Sequence, residues 1–207
     1  RAEVHGADPG ALKAMSVQPL ERPGGWIAEI AFDAEPALLR VRITDVDYLE
    51  GGIKSWGNLL VPVLLNPGAD FSLYQFIRPG KASCSYGLLC GKELMLFDPS
   101  RNLEFYLGFA AEKDCIITKT FETHLQADYI AGSRDIAKRT GAVFYGNDGD
   151  FKTSNNPYTP LKDGEIHRFS LGGPGVRVLF TPGHTPGSTS FVVDERFIIS
   201  GDMMFIH

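Results

Sequence analysis

No stretch of this sequence approaches the roughly 20 consecutive apolar residues that a membrane-crossing helix requires. Positive charge is not in excess either. Lys and Arg number 20 against 25 Asp and Glu, a net charge of −5, which argues against a broad basic surface for nucleic acid. Cysteine is scarce. Cys84, Cys90 and Cys115 make an odd count of three with no metal-type spacing, which excludes a disulfide scaffold and fits a reducing, cytoplasmic setting. The first 14 residues are charged and lack the apolar centre of a secretion signal. Internal repeats and low-complexity tracts are also missing. What the sequence does hold is 43% hydrophobic and 22% charged residues, enough for a sizeable core in its 207 residues. Glycine (23) and proline (13) are plentiful, which points to many turns and to sites built on loops.

The first forty residues are weakly patterned, with one strand expected over 26–32. Residues 46–56 read as a strand running into a Gly51-Gly52 helix start. Residues 58–70 read as a linker. From Phe71 the pattern is clearer: strands over 71–77, 85–90 and 94–97, with a turn at Gly91-Lys92-Glu93 between the last two. Leu103, Tyr106, Leu107 and Ala110 fall on one face of a helix within 102–113. A buried strand is expected at 115–118, a helix over 133–139 stopped by Gly141, and a strand at 142–145. The polar stretch 147–160 reads as a surface loop. Strands over 165–170, 176–180, 190–194 and 197–200 complete a mixed α/β or α+β sandwich.

Three segments share one layout, in which an apolar strand ends and ligand-type residues follow in the loop. The first leads to Thr123-His124-Leu125-Gln126-Ala127-Asp128-Tyr129. The second leads to Thr181-Pro182-Gly183-His184-Thr185-Pro186-Gly187, and the third to Gly201-Asp202. Loops beyond strand ends are where α/β folds gather their sites. Two histidines and one carboxylate converging from such loops suit a mononuclear iron(II) centre, with three protein ligands on one face and the remaining positions open. Pro-Gly pairs on both sides of His184 would hold its loop rigid.

These motifs, with Ser188-Thr189 and Ser200, resemble the metal motifs of the metallo-β-lactamase superfamily, and within it the persulfide dioxygenase and glyoxalase II-like branch. Leu96-Phe97-Asp98-Pro99-Ser100-Arg101 and Leu161-Lys162-Asp163-Gly164-Glu165 also match family stretches. The resemblance covers roughly residues 71–207 and implies an αββα sandwich. The family's fold continues past its Gly-Asp motif, whereas this sequence stops five residues after Asp202, so a C-terminally incomplete domain is expected. A second, smaller resemblance lies in Tyr48-Leu49-Glu50-Gly51-Gly52-Ile53-Lys54-Ser55-Trp56, which is similar to the closing segment of a rhodanese domain. No cysteine precedes it, so the partial rhodanese-like segment over 1–57 has no sulfurtransferase nucleophile.

The family's first motif reads His-x-His-x-Asp-His; here Gln126 and Tyr129 stand at its second and fourth ligand-type positions. An amide and a phenol are poor replacements for imidazole at a second metal. The resemblance therefore implies a single metal held by His124, His184 and Asp202. Asp98, Gln126, Asp128 and Tyr129 then steer the ligands without binding the metal themselves. The implied reaction is oxidation of a low-molecular-weight thiol persulfide, similar to glutathione persulfide, by O₂ at Fe(II), giving sulfite and the thiol. The alternatives are a zinc-dependent, glyoxalase II-like thioester hydrolase and a degenerate, non-catalytic binding protein of the same fold. No nucleic acid or membrane partner is expected, and a homodimer is kept open. His5 and His167 read as structural, His207 as a chain-end residue, and the three cysteines as core packing.

Overall fold

The computed structural model describes residues 56–204 except 82, 128, 129 and 156, and the backbone of three strands before them. The chain divides into two compact units, residues 1–53 and 54–207. In the first, β1 (Leu12–Pro19), β2 (Gly25–Phe32) and β3 (Leu39–Thr44) form an antiparallel sheet in that order. β2 answers the strand expected at 26–32, while β1 and β3 arise in sequence that carries no clear period. The rhodanese-like residues 48–55 lie outside the described residues, with only Trp56 of that segment inside them.

The second unit is layered. A seven-stranded mixed sheet is built from β4 (Val61–Leu64), β5 (Ser72–Arg78), β6 (Ser83–Cys90), β7 (Glu93–Phe97), β8 (Ile116–Phe121), β9 (Val143–Gly146) and β10 (Thr159–Pro160), in the spatial order β10-β9-β8-β7-β6-β5-β4. The run from β4 to β7 is antiparallel and the run from β7 to β10 is parallel. A four-stranded antiparallel sheet packs on one face: β11 (Ile166–His167), β12 (Val176–Phe180), β13 (Thr189–Val193) and β14 (Phe197–Ile199). The other face carries α1 (Leu103–Glu112) and α2 (Ser133–Thr140). A short helix, α3 (Asp148–Phe151), follows β9. Helix layer, sheet and sheet are thus three layers of the expected αββα sandwich.

Strand β7 explains how one sheet serves two cores. Its Met95 and Phe97 point into the space between the sheets, with Phe121, Phe191, Val176 and Val178. Its Leu94 and Leu96 point to the helices, with Tyr106, Phe109, Ala110 and Ile136. Alternation along a strand sends successive residues to opposite faces, and a strand covered on both faces is apolar throughout. Strand β8 keeps this sorting through a bulge. Leu94 pairs with Ile117 but Met95 pairs with Lys119, so Thr118 is inserted. Without that extra residue Phe121 would face the helices; with it, Phe121 stacks on Phe97 at 5.0 Å between the sheets. On the helix side Gly87 is fixed by packing, since a Cβ there would lie 2.8 Å from the Phe76 ring.

Several sequence expectations need correction. Residues 58–70 are not a free linker, because Val61–Leu64 pairs with β5 as the edge strand. Residues 147–160 are not all loop. Asn147 caps α3 by accepting the Gly149 N–H, and Phe151 is buried against Gly146. The strand expected at 165–170 shrinks to Ile166–His167. Of the three cysteines expected to pack in the core, Cys84 is exposed instead, while Cys90 and Cys115 are half-buried and pack against the inter-sheet and helix-side clusters respectively. His167 is structural as expected: it is buried against Phe121 and Tyr145 and bonds Glu165. His5 and His207 lie outside the described residues. Among the described residues no helix is long and apolar enough to cross a membrane.

Candidate metal centre

The site collects at one end of the sandwich for topological reasons. Strands β7, β8, β9 and β10 are parallel, so the loops carrying Asp98, His124 and Asp150 all leave the same edge. Strands β12 and β14 both run antiparallel to β13, which lies between them, so their C-terminal ends fall at the same end of the sheet. His184 follows the first and Asp202 the second. The two sheets are tied at this end by the Thr189 N–H, which donates to the Thr123 carbonyl at 2.8 Å.

Three ligand-type side chains converge there. The donor atoms of His124, His184 and Asp202 all lie within 4.8 Å of one another. Asp202 Oδ2 is 3.9 Å from His124 Nε2 and 3.8 Å from His184 Nε2. The imidazoles stand perpendicular, with centroids 4.9 Å apart. Bonds of about 2.0–2.2 Å to one divalent metal would bring these atoms to roughly 3–3.5 Å apart, a contraction that exposed side chains can make. His124 is 3% exposed, whereas His184 and Asp202 are 44% and 46% exposed, so the trio has one anchored side chain and an open side toward solvent.

The anchored histidine has its tautomer set by its neighbours. The Thr123 hydroxyl donates to Asp98 Oδ2 at 2.9 Å, and the Thr123 N–H donates to Asp98 Oδ1 at 2.7 Å. That hydroxyl also lies 2.9 Å from His124 Nδ1. Its single proton is committed to Asp98, so it can only accept from the ring, which places the ring proton on Nδ1 and leaves the Nε2 lone pair free. Such an outer hydrogen bond is what a metal-binding imidazole requires. Gln126 Nε2 sits 3.4 Å from the same Nδ1, but an amide nitrogen only donates and so makes no bond to a ring nitrogen that carries the proton. Gln126 is thus a neighbour of His124. Asp128 and Tyr129 lie outside the described residues.

Beneath the site are two buried acids. Asp98 is 5% exposed and adopts a left-handed φ of 50°, a conformation that Asp tolerates better than most residues. Burial raises its pKa, and the two bonds from Thr123 pull against that rise. Glu122 is fully buried, with no partner in good hydrogen-bonding geometry to either carboxyl oxygen and with Asp98 and Ser133 as its polar neighbours. Burial first, and then the charge on Asp98, push Glu122 well above the usual carboxylate range. Sequence reasoning assigned no part to Glu122, Thr123 or Asp150. Glu122 and Thr123 sit inside an apolar-to-polar transition with no period to mark them. Asp150 had a readable signal, since Asn147 followed by two acids is a helix start.

The comparisons with known proteins agree with this geometry. The family model of the metallo-beta-lactamase superfamily matches residues 79–207, and the chain belongs to that superfamily. Among curated relatives, a hydroxyacylglutathione hydrolase of Acidiphilium cryptum is 36% identical over 83 residues, covering 40% of this chain and 33% of its own length. A second hydroxyacylglutathione hydrolase, from Anaeromyxobacter dehalogenans, is 30% identical over 128 residues, 62% of this chain and 48% of its own. The chain thus spans less than half the length of these relatives. A metallo-beta-lactamase structure from Staphylococcus aureus superposes with a TM-score of 0.60 at 32% identity, over 67% of this chain and 45% of that one. ETHE1 from Myxococcus xanthus shares the fold, with a TM-score of 0.51 at 24% identity over 71% of this chain and 58% of that chain.

Proposed function

We propose that this chain carries the metal centre of a mononuclear iron(II) sulfur dioxygenase acting on a low-molecular-weight thiol persulfide. The observation behind it is the donor set. Among the described residues His124, His184 and Asp202 are the one group of three ligand-type side chains that converge, and the motif position next to them holds Gln126. Two histidines and a carboxylate on one face, with the other positions open, suit non-haem iron better than a closed zinc site. Bound there, iron(II) would supply the activation of O₂. In the overall reaction RSSH, O₂ and H₂O give RSH, sulfite and two protons, so the S–S bond breaks and the terminal sulfur is oxidised.

The chain's own groups position rather than exchange protons in this reading. Asp98 and Thr123 hold His124 with Nε2 presented, and Asp202 supplies the anionic ligand. Leu125 and Met203 are exposed beside two of the ligands and offer apolar surface to a sulfur-bearing tail.

A second reading is a zinc-dependent thioester hydrolase. It is favoured by the curated relatives, which carry the name hydroxyacylglutathione hydrolase. One experiment separates the two: metal analysis of protein purified without oxygen, followed by oxygen uptake on glutathione persulfide and by thioester cleavage. One iron per chain with sulfite formation is the expected result. Two zinc ions with thioester turnover would establish the hydrolase instead. Protein that binds no metal and turns over neither substrate would leave the non-catalytic binding domain.

A further inference from the structure

Asp150 lies in the segment that reads from sequence as a surface loop, yet its carboxylate touches both histidine loops. Oδ2 accepts the N–H of Leu125 at 2.9 Å and the hydroxyl of Thr185 at 2.7 Å. Oδ1 accepts the N–H of Gly187 at 2.8 Å. Leu125 follows His124 and Thr185 follows His184, so one carboxylate bridges the residues adjoining two of the three ligand-type side chains.

A second observation comes from packing. A Cβ on Gly187 would lie 2.6 Å from Asp150 Cγ and 2.6 Å from its backbone nitrogen. A Cβ on Gly149 would lie 2.8 Å from Gly187 Cα and 3.0 Å from the Pro186 carbonyl oxygen. The first turn of α3 and the Pro186-Gly187 turn therefore meet backbone to backbone, at a distance that only two glycines permit. Asn147 secures the same turn, accepting from Gly149 and donating to the Thr189 hydroxyl at 3.0 Å.

We propose that Asp150 is a positioning residue, a clamp that sets the spacing between His124 and His184 and so the geometry offered to a metal. It rests on the reading of His124, His184 and Asp202 as ligands. All three groups facing the carboxylate are donors, so an acceptor-only side chain of this length is required. Asparagine would turn an NH₂ group toward one of those donors. Glutamate would keep the charge but move it by one methylene.

The test uses the whole chain and Co(II) alone as the probe, following affinity and the visible absorption of the bound ion. Asp150→Asn is expected to weaken Co(II) binding by about 10- to 100-fold and to alter the spectrum, while the metal-free protein keeps its near-UV circular dichroism. Thr185→Val removes one of the three bonds and should weaken binding less, by up to about tenfold. Asp150→Glu should not restore wild-type binding. Asp148→Asn is the control, because that side chain bonds Tyr158 and neither histidine loop. Wild-type affinity and spectrum in Asp150→Asn would overturn the clamp; if that variant does not fold, Thr185→Val decides in its place. Full binding by Asp150→Glu beside weakened Asp150→Asn would also overturn it, in favour of plain charge. Failure of the unaltered protein to bind Co(II) would overturn the ligand assignment itself, an outcome no variant result can imitate.

Discussion

Gly201 presses so closely on Thr123 that a Cβ at position 201 would lie 2.4 Å from Thr123 Oγ1. That contact joins the turn bearing Asp202 to the residue that orients His124. Gly201 also has a φ of 53°, in the left-handed region. Gly201→Ala should cost about 1–2 kcal/mol from the backbone alone, with a further penalty from the clash. Urea titration is expected to show lower stability, and metal titration weaker binding, because Asp202 moves with its neighbour. Unchanged metal affinity would show that Asp202 is placed independently of Thr123.

Thr123→Val keeps the shape of the side chain and removes the hydroxyl shared between Asp98 and His124. Leaving part of a buried carboxylate unbonded should cost about 1–3 kcal/mol. The ring of His124 loses the acceptor that fixes its tautomer, so metal affinity should fall about 10- to 100-fold. Isothermal titration with zinc, compared with melting of the metal-free variant, distinguishes the two effects.

His184→Ala should leave the fold nearly intact, because the side chain is 44% exposed and outside both cores. Bound metal, measured by atomic emission after gel filtration, should fall close to zero while the melting temperature of the metal-free protein barely moves. Full metal retention would remove His184 from the ligand set.

Stability should depend on pH through His167. Burial lowers its folded pKa below the ordinary 6.5, with Glu165 opposing the shift. The unfolded chain then binds the proton more readily than the folded one between the folded value and 6.5. Stability from this group is therefore lost as pH falls below about 6.5, and levels off below the folded value. His167→Phe, which keeps an aromatic ring against Phe121 and Tyr145, should flatten that part of the curve in urea midpoints measured between pH 7 and pH 5.

Phe121→Ala removes a fully buried ring that stacks on Phe97 and Tyr145 immediately before the Glu122-Thr123-His124 segment. The expected loss is about 3–5 kcal/mol. Because β8 delivers His124, metal binding should weaken in the same variant. A loss below 1 kcal/mol would mean that the bulge at Thr118 does not lock the strand.

Much of this was legible in the residues alone. Apolar runs such as Leu94–Phe97 and residues 176–180 mark strands wherever both faces are covered, and the spacing of Tyr106 and Ala110 marks α1. Order along the chain placed His124, His184 and Asp202 in loops after apolar strands, and the resemblance of those motifs to the metallo-β-lactamase superfamily singled them out from neighbours such as Asp128. Strand β4 was hidden by its exposed, proline-containing edge position, where pairing rather than burial defines the strand. Helix α3 was hidden by polarity, because its one turn is held by Asn147 and by contacts to a loop some forty residues further on.

What the sequence by itself determined is the class of fold and the identity of the ligand-type side chains, because local period, strand ends and residue chemistry are written along the chain. Only the tertiary structure decided how those side chains are held. The separation of two histidines sixty residues apart depends on Asp150, on the Gly149–Gly187 contact and on the bond from Thr189 to Thr123. The orientation of His124 depends on an aspartate buried after another strand. These are relations between segments brought together by packing, and no local pattern in the sequence encodes a distance across the fold.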